Sequence, residues 1–240
     1  MKKALKYVLL IILALVIPQG AALVCSGVGM LMMKPLETGA VPHTDIYALK
    51  NKRNNVFAFE VGSGYALIDA GSDAAELEEA LAQLRISAAN VQHVMLTHSD
   101  GDHVAALSLF PNAAVYMSED EARMVNRTAR RSGFRFNSLP EGISLDNVTL
   151  LEENQILYLG KRRVQCVKAP GHTPGSMVYC LDDKYLFTGD CLRIKDGASL
   201  LHPFTMDRKT AQASIAQIEK FSIGRAFIFT SHYGYLESEA

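Results

Sequence analysis

Thr97-His98-Ser99-Asp100-Gly101-Asp102-His103 follows the apolar run His93-Val94-Met95-Leu96 and precedes Val104-Ala105-Ala106-Leu107-Ser108-Leu109-Phe110. Two imidazoles and two carboxylates share this one loop. Crowding such groups is costly unless a cation is shared among them, and nitrogen and oxygen donors of this kind suit zinc, iron or manganese. The preceding run reads as a short buried strand and the following one as a helix. The loop therefore lies at a strand-to-helix junction, where sites form in sheet-based folds. An ordinary polar turn that caps the helix is the competing reading of Ser99 to Asp102.

Three further junctions share this setting. Ala169-Pro-Gly-His-Thr-Pro-Gly-Ser176 carries His172 in a rigid turn after a strand, Phe187-Thr-Gly-Asp190 ends a strand at Asp190, and Phe229-Thr-Ser-His-Tyr-Gly234 ends another near His232. One such histidine alone is more often structural than a ligand. Four junctions in one domain place their side chains at strand ends, where one sheet edge can gather them.

Outward from the loop, Ile46–Lys50, Asn55–Val61 and Tyr65–Asp69 alternate apolar and polar residues between turn signals and predict a three-strand meander. Leu77, Ala80, Leu81 and Leu84 recur at helical spacing after Asp73, a candidate N-cap. Ser118 with Glu121 reads as a capping box opening a further helix. The second half repeats the pattern: strands near 148–151, 156–159 and 164–168, then 176–181 and 185–188, a helix around 211–221 and a last strand over 226–230. Two sheet halves, each with helices, predict an α/β fold of two sheets between helical layers.

The motif Thr97–His103, the turn Pro170–Ser176, Gly189-Asp190 and the strand end Leu67-Ile-Asp-Ala-Gly71 together resemble the metallo-β-lactamase superfamily, over about residues 45 to 236. That resemblance implies a four-layered αββα sandwich and two divalent metal ions, zinc first, with iron or manganese as alternatives. Carried over by position, His98, Asp100 and His172 would hold the first ion, Asp102, His103 and His232 the second, and Asp190 would bridge them. It further implies a hydrolase, in which a water shared by the ions attacks an ester, lactone, thioester, amide or phosphodiester bond of a small-molecule substrate. Such ions lower the pKa of bound water from 15.7 toward about 7. Asp102 is the candidate catalytic residue, orienting that water and relaying its proton. A mononuclear iron redox enzyme on the same scaffold and a non-catalytic metal-binding protein are the rival readings.

The sequence departs from the family pattern where the second histidine of the motif is Asp100. The extra carboxylate lowers the excess positive charge of the site and should acidify the water less, so Asp100→His is expected to move the alkaline limb of activity to lower pH. The same replacement favours iron or manganese at the first position, or weak filling of it.

Other segments carry simpler readings. Lys2, Lys3 and Lys6 precede an apolar run with no charge until Lys34, long enough to cross a bilayer, which takes about 20 residues. Residues 1–35 are thus expected to be a transmembrane signal-anchor with a cytoplasmic N-terminus, and 36–240 an extracytoplasmic catalytic domain; secretion after cleavage at Ala22 is the alternative. Lys plus Arg number 24 against 25 Asp plus Glu, a net charge of −1, which predicts no nucleic-acid partner. Cys25, Cys166, Cys180 and Cys191 lack metal-binding spacing, and buried free thiols are expected. Arg123, Arg127, Arg130 and Arg131 would share one helical face, read as solvated, with lipid headgroups or an anionic substrate as the alternatives. His202, in Leu200-Leu-His-Pro-Phe204, lies where a loop could overhang the site, as a substrate contact or an acid, with an ordinary surface-loop histidine as the favoured competing reading.

Overall fold

Strand β3 (Asn54–Val61) is buried on both faces, and its side chains divide with the period of two that a strand imposes. Phe57, Phe59 and Val61 enter one apolar cluster, Val56 and Ala58 another. With β2 (Ile46–Asn51) and β4 (Gly64–Ile68) it forms the expected antiparallel meander, which β1 (Gly39–Ala40) extends. From β4 onward, β5 (Val91–Met95), β6 (Ala114–Ser118) and β7 (Val148–Leu151) add in parallel, closing a seven-stranded sheet in sequential order. Residues 148–151, expected among the strands of the second half, pair with β6 and so belong to the first sheet.

The second sheet holds β8 (Ile156–Leu159), β9 (Arg162–Lys168), β10 (Met177–Leu181) and β11 (Tyr185–Phe187). A separate hairpin follows, β12 (Arg193–Lys195) with β13 (Ala198–Leu200), and then β14 (Phe227–Phe229) and β15 (Tyr235–Glu237). The six-stranded order is β15-β14-β11-β10-β9-β8. The hairpin and β15 are too short and too polar to be legible from alternation.

Helix α1 (Ala74–Gln83) starts at Asp73, whose side chain accepts from the Glu76 amide, and buries Leu77, Ala80 and Leu81 on the outer face of the first sheet. The single turn α2 (Gly101–Val104) and the short α3 (Glu119–Val125) add Val104 and Ala122 to the same outer cluster. On the far side, α4 (Arg208–Ser222) is capped by Asp207 and packs Ile215 and Ile218 against β10, β11 and β14 residues. The two inner sheet faces meet through Phe57, Phe59, Tyr179, Phe187 and Phe229, with the Phe57 and Phe229 rings 5.0 Å apart. Each such side chain contributes roughly 1.5–3 kcal/mol by leaving water. The layers therefore run helix, sheet, sheet, helix, as expected.

Three local expectations are corrected. The helix after His103 is only α2 and a 3-10 turn at Leu107–Leu109. Ser118 accepts from the Glu121 amide at 3.1 Å, but the Glu121 carboxylate does not complete a capping box, because it is used elsewhere. α3 also stops at Val125, and Arg127 has φ +65, so the four arginines do not share one helical face.

The computed structural model describes residues 32–131 and 137–237. The chain divides into the units Met1–Met33 and Lys34–Ala240, and the architecture above belongs to the second. The expected transmembrane signal-anchor lies, up to Leu31, outside the described residues; among those residues no helix is long and apolar enough to cross a membrane. Cys166, Cys180 and Cys191 are buried free thiols.

Candidate metal centre

Every candidate side chain leaves a strand end or the turn after it: His98 after β5, Asp102 and His103 on α2, His172 after β9, Asp190 after β11, His202 after β13 and His232 after β14. They converge on the Asp190 carboxylate. Its Oδ2 lies 3.2 Å from His232 Nε2, 3.5 Å from His202 Nε2, 3.6 Å from His172 Nε2 and 3.7 Å from His103 Nε2. Two atoms bound at 2.0–2.2 Å to one tetrahedral ion sit about 3.3–3.6 Å apart, so the His232, His172 and His103 spacings would suit ligands of a cation.

Four donor sets emerge: His98 with Asp100 and His172; Asp102 with His103 and His232; His98 with His103 and Asp190; and His172 with Asp190 and His202. All seven residues expected as ligands are thus brought together. Among the described residues, the Nε2 atoms of His98, His103, His202 and His232 and Oδ1 of Asp190 are buried without a hydrogen-bond partner. Leaving such atoms unsatisfied costs about 1–3 kcal/mol each, a cost that a divalent cation would remove at His98, His103, His232 and Asp190. The donor set fits zinc.

The opposite ring nitrogens fix three of these imidazoles. His103 Nδ1 lies 2.8 Å from Asp69 Oδ2, and His232 Nδ1 2.7 Å from the Arg53 carbonyl. Thr97 Oγ1, which donates to Asp69, lies 3.0 Å from His98 Nδ1. With Nδ1 as the donor in each, the Nε2 lone pair is left free for a metal. Asp69 itself adopts φ +65 and accepts from the Thr97 amide at 2.7 Å. The turn Leu67–Gly71 thereby orients two of the histidines.

Burial and charge oppose each other throughout. Burial drives the Asp190 carboxyl up, but His202, His232 and His103 around it hold it well below the usual carboxylate range. Burial drives His103 down, yet Asp69, Asp102 and Asp190 raise it well above an ordinary imidazole, and Asp190 raises His232 in the same way. His172 and His202 are lowered, burial being the largest cause in both.

Asp100 has a partner that its sequence context does not suggest. Arg131 Nε lies 2.7 and 2.9 Å from the two carboxylate oxygens, while Nη2 lies 3.3 Å from His172 Nε2 and 3.1 Å from the Phe204 carbonyl. Asn137 Nδ2 adds a bond of 3.0 Å to Asp100. Burial would raise the Asp100 carboxyl, but hydrogen bonds to His172 and His98, attraction to His98 and the Arg131 contact hold it far below its ordinary range. Arg131 therefore lies in the site rather than on a solvated helical face, and it returns the positive charge that Asp100 removes. The expectation that Asp100 alone leaves the centre less positive is revised accordingly.

His202 is 1% exposed and sits inside the cluster rather than above it. Its Nδ1 accepts from the Phe204 amide at 3.4 Å, so Nε2 carries the proton and faces Asp190. Asp102, with 42% of its side chain exposed, is the most open of the group; Asn54 Nδ2 holds its carbonyl.

Glu121 and Asn137 were missed in the sequence. Fully buried, Glu121 accepts from the Ser99 amide at 2.8 Å, Ser99 Oγ at 2.6 Å and Thr173 Oγ1 at 2.7 Å, tying the His98 loop to the His172 turn. Asn137 Nδ2 also reaches Ser99 Oγ at 2.8 Å. Only the glycines of the His172 turn hinted at such closeness. A Cβ on Gly171, at φ +136, would run into the Ala211 backbone, and one on Gly175 into the backbone of Glu121.

Residues 51–232 match the family model of the metallo-beta-lactamase superfamily. A probable polyketide biosynthesis zinc-dependent hydrolase of Bacillus subtilis is 31% identical over 127 residues, 52% of this chain and 48% of that protein. A hydroxyacylglutathione hydrolase of Haemophilus influenzae is 29% identical over 138 residues, 53% of this chain and 60% of that protein. The matched region thus spans about half the length of the curated relatives. Among solved structures, a subclass B3 metallo-beta-lactamase with an active-site glutamic acid superposes with TM-score 0.66 at 17% identity, covering 87% of this chain and 85% of that one. A metallo-beta-lactamase of Cronobacter sakazakii with a HARLDQ motif gives 0.64 at 18% identity, over 85% and 81%. At these identities the structural likeness carries the fold alone.

Proposed function

The chain belongs to the metallo-beta-lactamase superfamily, and from that premise we propose that it is a zinc-dependent hydrolase of a small-molecule carboxylic ester or thioester. His98, Asp100, Asp102, His103, His172, Asp190 and His232 provide room for up to two divalent ions. The observation that carries this reading is the convergence of the unpartnered Nε2 atoms of His103 and His232 on Asp190. Two relatives named as hydrolases, one zinc-dependent and one acting on hydroxyacylglutathione, favour zinc and a carbonyl-centred substrate.

Bound in this centre, divalent ions supply Lewis acidity and a more acidic water. The chain supplies the rest. Asp69, Thr97 and the Arg53 carbonyl hold three imidazoles in one tautomer and orientation, so little reorganisation is needed when charge develops. Asp102 is open enough to reach a water at the mouth and take its proton. His202, with its Nε2 proton facing inward, donates to a substrate oxygen as negative charge grows on it. Arg131 and Asn137 hold the Asp100 carboxylate in place.

The three lysines ahead of the apolar stretch and its length support a membrane-anchored protein with the hydrolase domain outside the cytoplasm. Alkaline carbonate washing of membranes carrying the full chain, with protease added to intact cells, tests this. Release by carbonate, or a domain sheltered from protease, refutes it.

The functional reading is tested by elemental analysis of purified protein, followed by a panel of esters, thioesters, lactones, amides and phosphodiesters, with Asp102→Ala in parallel. Bound zinc and hydrolysis of a carbonyl substrate that fails in Asp102→Ala are expected. Absence of bound metal after reconstitution with zinc refutes it.

A further inference from the structure

We infer that Arg131 is a resident cation of the first metal position, so that the two positions differ sharply in affinity and only one ion is held tightly. This rests on the metal-centre reading above and refines it.

Asp100 Oδ2, His98 Nε2 and His172 Nε2 form one donor set, with Asp100 Oδ2 3.6 Å from His98 and 3.2 Å from His172. Arg131 already engages two of the three members: Nε lies against both Asp100 oxygens, and Nη2 points at His172 Nε2. A guanidinium stays protonated at any physiological pH and cannot yield its charge by titration. It is also anchored from behind, since Nη2 lies 3.1 Å from the Phe204 carbonyl, and only 13% of its side chain is exposed. A divalent ion entering this set must displace the guanidinium from Asp100 and His172 or sit beside a like charge.

Among the described residues, the second position carries no such competitor. Asp102 Oδ2 lies 3.8 Å from His103 Nε2 and 3.5 Å from His232 Nε2, and Asp190 Oδ2 lies 3.7 and 3.2 Å from the same two nitrogens. Two carboxylates and two imidazoles with unpartnered Nε2 atoms face one point, and none of the contacts at these four side chains involves Arg131. This set takes the tight ion.

The test is zinc and cobalt titration of the full-length protein against a competing chelator, with cobalt absorption spectra, for wild type, Arg131→Met and Arg131→Lys. Wild type is expected to bind one equivalent tightly and a second at least tenfold more weakly. Arg131→Met should tighten the second equivalent tenfold or more without altering the first, and Arg131→Lys, which keeps the charge, should stay near wild type. The spectrum of the first cobalt ion reports that the variants are folded. Two equally tight ions in wild type overturn the inference without any variant, as does an Arg131→Met protein that keeps its first ion but gains no affinity for the second. A wild type that binds no ion overturns both this inference and the metal-centre reading; two tight ions leave that reading standing.

Discussion

Nδ1 of His103 lies 2.8 Å from Oδ2 of Asp69, and both side chains are buried. Because Asp69 Oδ1 already accepts from the Thr97 amide, an Asn at position 69 would keep its oxygen there and turn its NH2 toward His103. That forces the proton onto Nε2 and removes the lone pair a metal needs. Asp69→Asn is expected to weaken zinc binding about 10–100-fold, the usual loss for a residue that orients a ligand, as read by chelator competition. Unchanged affinity would mean that the pair does not set the tautomer.

Glu121 takes three hydrogen bonds from two loops in a fully buried setting. Glu121→Ala strands those donors, at a cost on the order of 3 kcal/mol. Urea unfolding of metal-free protein should show a lower midpoint with an unchanged slope. A midpoint within error of wild type would contradict the role assigned to it.

His202→Ala separates substrate contact from metal binding. With Nε2 carrying a proton, His202 is a donor and not a ligand, so the variant should retain the metal content of wild type while kcat falls about 100-fold or more, the lower end for a positioned proton donor. Loss of an ion in step with activity would instead make His202 a ligand.

Metal retention should depend on pH. Burial pushes His103 down, but Asp69, Asp102 and Asp190 hold its metal-free form protonated well above the ordinary imidazole value, and Asp190 raises His232 as well. An imidazole must lose that proton to bind a metal. Zinc uptake therefore releases protons, and affinity rises with pH and falls as pH drops, up to about tenfold per pH unit for each proton displaced. Titration across about pH 6 to 8, the range in which histidine charge matters, would show a flat affinity if the imidazoles were already neutral.

Asp100→His restores the motif of the family but leaves Arg131 without its carboxylate. The single change is expected to gain no affinity for a second ion, because the guanidinium still faces His172 Nε2. Asp100→His with Arg131→Met should gain it. A gain in the single variant equal to that in the double would show that Arg131 yields freely.

The sequence by itself determined which donors exist and where along the chain they stand. Strand alternation and helix spacing are local properties, and each of the four junctions, Thr97–His103, Pro170–Ser176, Gly189-Asp190 and Ser231-His232, announces itself by residues that end a strand. The layered fold followed from the order of these elements. Tertiary structure alone decided what each donor meets. Arg131 reaches Asp100 across 31 positions, Glu121 reaches Thr173 across 52, and Asp69 reaches His103 across 34. The parallel pairing of β6 with β7 likewise joins segments far apart in sequence. None of these partners has a periodic or neighbouring signature, because a buried charge selects its partner by proximity in the packed domain. The same physics turned an arginine that reads as solvated into the cation that faces Asp100.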